Sequence, residues 1–438
     1  ICARNQRRIH MSLQELEFNQ DLVSKPSRRK FLKSAAALAL AGPALACGPQ
    51  STVKEGEQAQ ASGKRRLVCV GTYSSPAGPE GHPGRGKGIY IFEMNSATGA
   101  LTQREIIDNP RNPSWLALSP NGTHLYSCDE IGNYQGKRAG AVSSYSVDSS
   151  TGHLTLLNTV SAEGAGPAHI SVHPSGRYVF AANYEGGSIA VLPILSNGQL
   201  GPATDVQQDK GPLGPQHATS APPGSFAISG HDAPHAHMIE SDPSGKRVIS
   251  TDLGMDKILI WNIDLEKGKL TPNSPPSASV PPGDGPRHFV FHPNSRWFYC
   301  IQEEGSAVVA FDYDAKTGSL TQKQIISTLP KGFVGTNFPS EIRLSPDSKF
   351  IYGANRLHDS IVWFSVGDDG ELTYGGEEWT RGDYPRSFTI DPAGDFLYCC
   401  NQQADAVTTF RVNKQSGALT FTGQYTPVGT PANVVFLT

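Results

Sequence analysis

The sequence predicts an all-β chain folded as a seven-bladed β-propeller, with four antiparallel strands per blade. Three observations carry that reading. A Gly-x-Leu signature recurs seven times at blade-length intervals, at Gly99, Gly152, Gly198, Gly268, Gly318, Gly370 and Gly417, and every one of these copies but the third continues with Thr. Successive copies lie 53, 46, 70, 50, 52 and 47 residues apart, close to the period of about 40 to 50 residues that marks propeller blades. A second repeat, a strand ending in a proline turn, occurs six times, at Pro120, Pro174, Pro243, Pro293, Pro346 and Pro392. Finally, the two ends of the repeating region complement each other, as shown below.

In chain order, the first element is a targeting segment, assigned to residues 1–46. Ser27-Arg28-Arg29-Lys30-Phe31-Leu32-Lys33 resembles a twin-arginine export signal, the apolar stretch Ala35–Leu45 follows, and Ala44-Leu45-Ala46 offers a small-residue cleavage site. Residues 1–10, ahead of Met11, read as an upstream extension. Cys47 follows the cleavage point and offers a site for a lipid anchor, although Ala44 stands where a lipobox usually has Leu. The expected location is therefore periplasmic or exported, with membrane anchoring through Cys47 left open. Residues 47–66 are polar and read as a linker. The propeller is assigned to residues 67–438, as a monomer.

Within a blade, an apolar run such as Arg287–Phe291 precedes the proline turn and another, such as Trp297–Ile301, follows it. Each pair predicts a hairpin. Proline presets the turn, and Gly, Asn or Asp tolerate the tight backbone after it. A third strand (307–313 in the same blade) and a fourth after Gly-x-Leu complete four. One blade is split. Pro431–Leu437 matches a first strand with no hairpin after it, and Leu67–Thr72 matches a second strand with no first. Joining them closes the ring and removes the exposed sheet edges. Cys128, Cys300, Cys399 and Cys400 recur at one strand stage where other blades have small residues, so they read as reduced, apolar fillers.

A net charge of −3 excludes a broad basic surface, and nucleic acid is not expected as a partner. No apolar run is long enough to span a bilayer. There is no serine-nucleophile elbow and no Cys-x-x-Cys or His-Glu-x-x-His motif. No cofactor is expected. An Asp/Asn ring at the axis could hold a divalent ion, but its arginine neighbours argue against one.

Aligning the blades separates structure from chemistry. Nine residues after each turn proline stand Asp129, Asn183, Asp252, Gln302, Asn355 and Asn401, whose shared polar character predicts bonding to turn backbone. One residue later the pattern breaks into Glu130, Tyr184, Leu253, Glu303, Arg356 and Gln402. Six residues before the proline stand Ser114, Ala168, His237, Arg287, Ser340 and Arg386; the next position holds Trp115, His169, Met238, His288, Glu341 and Ser387. The starts of first strands and the ends of second strands share one face near the axis. The asymmetric residues His237, Arg287, Glu303 and Arg356 should converge there, where His, Glu and Arg can bind an anionic substrate and move protons. The interval of 70 residues owes its excess to Gly201–Ala233, rich in Gly, Pro, Ser and Gln, which enters Pro234-His235-Ala236-His237. It predicts a binding loop or lid on that same face. His173 and His292 occupy turn positions and are assigned to turn bonding.

These motifs together carry a family resemblance. Pro234-His235-Ala236-His237, Asp252-Leu253-Gly254-Met255-Asp256, Gly285-Pro286-Arg287-His288-Phe289 and Asn355-Arg356-Leu357-His358-Asp359 resemble the seven-bladed 6-phosphogluconolactonase family, itself similar to fungal carboxy-cis,cis-muconate cyclase. The likeness runs from about Leu67 to Thr438. It implies lactone hydrolysis, with His237 (or its neighbour His235), Arg287, Glu303 and Arg356 as the catalytic set. Glu303 or His237 would activate water, and the two arginines would hold an anion and the developing oxyanion. His235, His169, His288, Asn183, Glu130, Asn355 and Arg386 are the expected substrate-binding residues. The family is usually cytosolic, so an export signal leaves the lactone's phosphorylation open. Two other readings stand beside hydrolysis: a muconate-type lactonizing cyclase, and a non-catalytic propeller binding a ligand or protein. A closed small pocket under the long loop would favour an enzyme; a flat face would favour a protein partner.

Overall fold

The residue ahead of each turn proline holds the chain reversal. Asp242 Oδ1 accepts the N–H groups of Lys246 and Arg247 at 3.0 Å each, and Ser119 Oγ and Ser345 Oγ accept those of His124 and Phe350 at 2.9 and 3.0 Å. His173 does the same through Nδ1, which meets the Ser175 N–H at 3.0 Å, while its Nε2 lies 2.8 Å from the Gly245 carbonyl of the next blade. His292 Nδ1 accepts the Asn294 N–H at 3.2 Å. The turn assignment of both histidines holds.

The computed structural model describes residues 66–78, 81–228 and 230–437. Over them run seven antiparallel sheets of four strands each. The signal segment assigned to 1–46, all of the linker but Arg66, and Cys47 lie outside the described residues. Ring closure follows the predicted route. Pro431–Leu437 pairs with Arg66–Thr72, matching Val68 to Phe436 and Val70 to Val434.

Burial falls outward across each blade. Second strands such as Tyr178–Asn183, Trp297–Gln302 and Phe350–Asn355 are buried at every residue, because neighbouring blades cover both faces. Fourth strands such as Leu101–Asp108 form the half-exposed outer rim. Clusters between adjacent blades, for example Tyr299, Ile301, Ile342, Ile351 and Phe364, make up the core.

The Gly-x-Leu repeat has a tertiary cause. All seven glycines have φ between 62° and 86°, a conformation that costs an L-residue its Cβ clearance. A Cβ on Gly370 would stand 2.5 Å from the Trp297 ring of the preceding blade, and one on Gly99 2.5 Å from the Phe396 ring. The glycine carbonyls are also used. Tyr299, Tyr352 and Tyr398 each donate their hydroxyl at 2.8 Å to Gly370, Gly417 and Gly99 of the next blade. The signature is a blade-to-blade joint as well as a turn.

One boundary differs from expectation. Asp205–Gln208 pairs with Ser188–Pro193 and forms the third blade's fourth strand, inside the stretch assigned to the loop. The loop proper begins after it. It runs along blades four to six, held by Gly214 N–H to Gly254 O at 2.9 Å, Thr219 N–H to Pro282 O at 3.0 Å and Phe226 N–H to Thr336 Oγ1 at 2.9 Å. The described cysteines Cys69, Cys128, Cys300, Cys399 and Cys400 are buried free thiols, as expected of apolar fillers.

Candidate active site

Two backbone devices aim side chains at the mouth of the axis. The first is a β-bulge at the start of the innermost strand. Pairing jumps from Ala236 to Met238, from Pro286 to His288 and from Pro385 to Ser387. His237, Arg287 and Arg386 are the skipped residues. A bulged residue leaves the ladder and re-aims its side chain, so the position six before the proline is freed from sheet alternation. The second device is a hydrogen bond just past the second strand. The N–H of Tyr184 reaches Gly166 O at 2.8 Å, that of Glu303 reaches Gly285 O at 2.7 Å, and those of Glu130 and Arg356 reach Asn112 O and Phe338 O at 3.0 and 3.1 Å. These bonds fix the positions where the repeat breaks.

The result is a cavity of about 300 Å³, lined by Glu130, Gly166, Ala168, Tyr184, Glu185, His237, Glu303, Phe338, Arg356, Tyr384 and Arg386. A smaller void at the axis is lined by Tyr73, Ser114, Trp115, His237, Arg287, His288 and Arg386 among others. None of the described residues of the long loop lines the larger cavity, so the lid expected of Gly201–Ala233 is not a wall of it. The concave pocket is formed by the blades themselves.

Glu303 is the electrostatic centre. Its Oε2 receives Arg287 Nε and Arg356 Nη2, each at 2.8 Å. Arg287 also donates Nη1 to the Ser340 carbonyl, and Arg356 donates Nε to Phe338 O at 3.0 Å and Nη1 to the Tyr384 hydroxyl at 3.2 Å. Burial opposes the Glu303 charge, but the Arg356 and Arg287 guanidiniums outweigh it and hold the carboxyl below its usual range. Arg287 is buried beneath the cavity wall, and burial followed by repulsion from Arg356 pushes it down to about 10.

His237 is buried, with its ring edge toward Tyr184 at 5.4 Å and toward His288 at 5.0 Å between centroids. Its Nδ1 has no hydrogen-bond partner within the protein. Burial and the positive field of Arg287 drive its pKa well below the ordinary histidine value, so the imidazole is neutral. Glu130 faces the other way electrostatically. Burial raises its pKa, while Arg386, Ser114 and Tyr73 pull against that rise. Its Oε2 accepts the Tyr73 hydroxyl at 2.9 Å and the Ser114 hydroxyl, and Arg386 Nη2 lies 3.8 Å from Oε1. Arg386 lies over the Tyr73 ring at 5.3 Å.

Several residues expected to bind substrate stand elsewhere. Asn183 is buried in a blade joint, donating to Ala162 O at 3.0 Å, and Asn355 likewise donates to Thr328 O at 2.8 Å. Both serve the backbone-bonding role that their repeat position predicts, and both are spent there. His235 stacks on Tyr184 at 4.4 Å between centroids and meets the Tyr184 carbonyl through Nδ1 at 2.9 Å, so it braces a wall without lining it. His169 and His288 pack with Trp115 as an aromatic floor under the pocket. His288 Nδ1 lies 3.3 Å from Glu341 Oε1, and burial lowers its pKa to about 4 despite that carboxylate. Tyr184, Glu185, Phe338 and Tyr384 line the pocket and escaped the substrate-binding set. Tyr184 carried a signal, because it breaks the repeat beside Glu303 and Arg356; the other three lie in connections that the blade alignment does not register.

Comparisons with known proteins agree with this architecture. A family model described as lactonase, 7-bladed beta-propeller, matches residues 67–436. The chain is 32% identical over 369 residues to a 6-phosphogluconolactonase of Bacillus subtilis, covering 84% of this chain and 97% of that one. It is 32% identical over 339 residues to a 6-phosphogluconolactonase of Formosa agariphila, covering 76% and 91%. The solved structure of a periplasmic gluconolactonase of Pseudomonas aeruginosa is 29% identical with a TM-score of 0.75, covering 85% and 99%. The repeat, the closed ring and these likenesses together place the chain in the seven-bladed β-propeller lactonase family.

Proposed function

We propose that this protein hydrolyses an unphosphorylated sugar lactone outside the cytoplasm, after export by the twin-arginine route. His237 is the general base. It is neutral across the physiological range, lines the cavity, and has a nitrogen without a hydrogen-bond partner in the protein. Glu303, clamped by two guanidiniums, is a weak base and instead fixes Arg356 at the cavity wall. The water's proton moves to His237 as its oxygen attacks the lactone carbonyl. Arg356 stabilises the resulting oxyanion, and Arg287 supports Glu303 from below. Tyr184, Phe338 and Tyr384 supply flat apolar walls suited to a sugar ring.

The charge of the lining selects the substrate. Three carboxyl groups (Glu130, Glu185, Glu303) share the wall with two guanidiniums (Arg356, Arg386). Arg356 is already paired with Glu303 and Arg386 stands beside Glu130, so the lining dedicates no guanidinium to a phosphate or a second carboxylate, which favours a neutral polyol lactone over both. The single observation that carries the reading is the neutral His237 beside the Glu303–Arg356 pair in one concavity. The test is proton release from gluconolactone and from its 6-phosphate with purified mature protein. Hydrolysis well above the spontaneous rate, faster for the unphosphorylated lactone and lost in His237→Gln, is expected. Rates equal to the spontaneous ones with both lactones would overturn it.

A further inference from the structure

Lactone hydrolysis needs a proton donor as well as a base. When the tetrahedral intermediate collapses, the ring C–O bond breaks and the departing oxygen leaves as an alkoxide unless it is protonated. Arg356 stays charged and Glu303 stays ionised, so neither supplies that proton. We propose that Glu130 is the general acid that protonates the leaving ring oxygen, a role that rests on the lactonase reading above.

The geometry carries the assignment. Glu130 lines the same cavity as His237 and Glu303, from a different blade. Its side chain is largely buried, with 15% exposure. Oε2 is occupied by the Tyr73 and Ser114 hydroxyls, which leaves Oε1 as the oxygen that carries the proton. The two pocket carboxyls then differ by environment. Glu303 has two guanidinium nitrogens at 2.8 Å, whereas the guanidinium beside Glu130 stands off at 3.8 Å and two neutral hydroxyls take its other oxygen. Environments driven apart in this way divide the roles within one site: Glu303 is a fixed charge that holds Arg356, and Glu130 is the carboxyl placed to give up a proton while His237 serves as base. Burial raises Glu130 accordingly.

The step balances. Water's oxygen bonds to the lactone carbonyl carbon and its proton goes to His237. The ring C–O bond then breaks, its electron pair stays on the ring oxygen, and the Glu130 proton joins that oxygen. The product is the open hydroxy acid; the proton on His237 returns through solvent to Glu130, and no other reactant is consumed.

The experiment compares gluconolactone with its ring-sulfur analogue, 5-thiogluconolactone. A thiolate with a conjugate-acid pKa of about 8.5 leaves without protonation, while an alkoxide does not. Glu130→Gln should cut kcat on the oxygen lactone by about 10²–10⁴, the usual contribution of a general acid, and leave the sulfur analogue within about tenfold of wild type. His237→Gln should cut both. In addition, the alkaline limb of the wild-type kcat profile should be absent from the residual activity of Glu130→Gln. Equal losses on both substrates, or an unchanged alkaline limb, would overturn the role of Glu130 while leaving the lactonase reading intact. A wild-type protein inactive on both lactones overturns the parent reading instead. Glu130→Asp, which keeps the carboxyl, should recover part of the oxygen-lactone rate; recovery by Gln to the same level would also refute it.

Discussion

Replacing Glu303 by Gln removes one negative charge from between two buried positive ones. Arg287 and Arg356 have side-chain exposures of 2% and 4%, and both reach Glu303 Oε2 at 2.8 Å. Arg287 is already pushed down to about 10 by burial and by Arg356, so the two guanidiniums repel each other even with the carboxylate present. Removing one partner of a buried ion pair costs about 3–5 kcal/mol. Gln retains one acceptor oxygen, so the lower end, about 3 kcal/mol, is expected. Linkage fixes the pH dependence. The folded-state pKa of Glu303 lies below the unfolded value of about 4.3, so its contribution is fully present above that pH and disappears as pH falls through the folded value. Denaturant unfolding of wild type and Glu303→Gln at several pH values is the assay. The gap should be about 3 kcal/mol at pH 7 and close on acidification. A variant as stable as wild type at pH 7, or a gap constant to the acid end, would refute the reasoning. Activity at pH 7 should fall about 10²–10³-fold, because Arg356 loses its anchor.

Other predictions follow from the same site and its joints. His237 must be neutral to act, and its pKa lies well below the ordinary value of about 6.5, so kcat/KM should hold at pH values where a free histidine is charged; an acid limb at or above that value contradicts the assignment. His288 is held neutral down to about 4, so folding loses about 3 kcal/mol between roughly pH 6.5 and 4 as the unfolded chain takes up that proton. His288→Phe should flatten this part of the stability profile, and an unaltered profile counts against it. Gly370→Ala places a Cβ 2.5 Å from the Trp297 ring at φ 86° and should cost about 2–4 kcal/mol in chemical denaturation; a neutral effect would show that the joint yields. Deleting Pro431–Leu437 leaves Arg66–Thr72 as an open edge and should give aggregated, inactive protein by size-exclusion chromatography; a stable monomer would disprove closure as a requirement.

The blade count, the split blade and the turn chemistry were legible in the sequence because each is written in short-range terms. A proline, a glycine seven or so times over, and alternating apolar runs act within their own hairpin. The position six before the proline was legible as an anomaly for the same reason: His237, Arg287 and Arg386 stand where the repeat has no fixed type. What the alignment could not show is that these positions are bulged, since a bulge is a mismatch between two strands. It also ranked Asn183 and Asn355 as ligand contacts, although their amides are consumed by neighbouring backbone. The long loop drew attention by length alone, yet its described residues stay off the cavity.

Sequence by itself determined the architecture and named the ring of residues from which the pocket is drawn. Tertiary structure decided their division of labour. Arg287 and Glu303 stand on paired strands of one blade and Arg356 comes from the next, so the packing of two adjacent blades brings two guanidiniums onto one carboxylate and makes it the fixed charge. Blade packing around the axis also leaves Glu130 with hydroxyl donors and His237 with a nitrogen that has no hydrogen-bond partner in the protein, so their protons remain movable. Protonation state depends on burial and on charges a few ångströms away, and neither quantity is written in residue spacing.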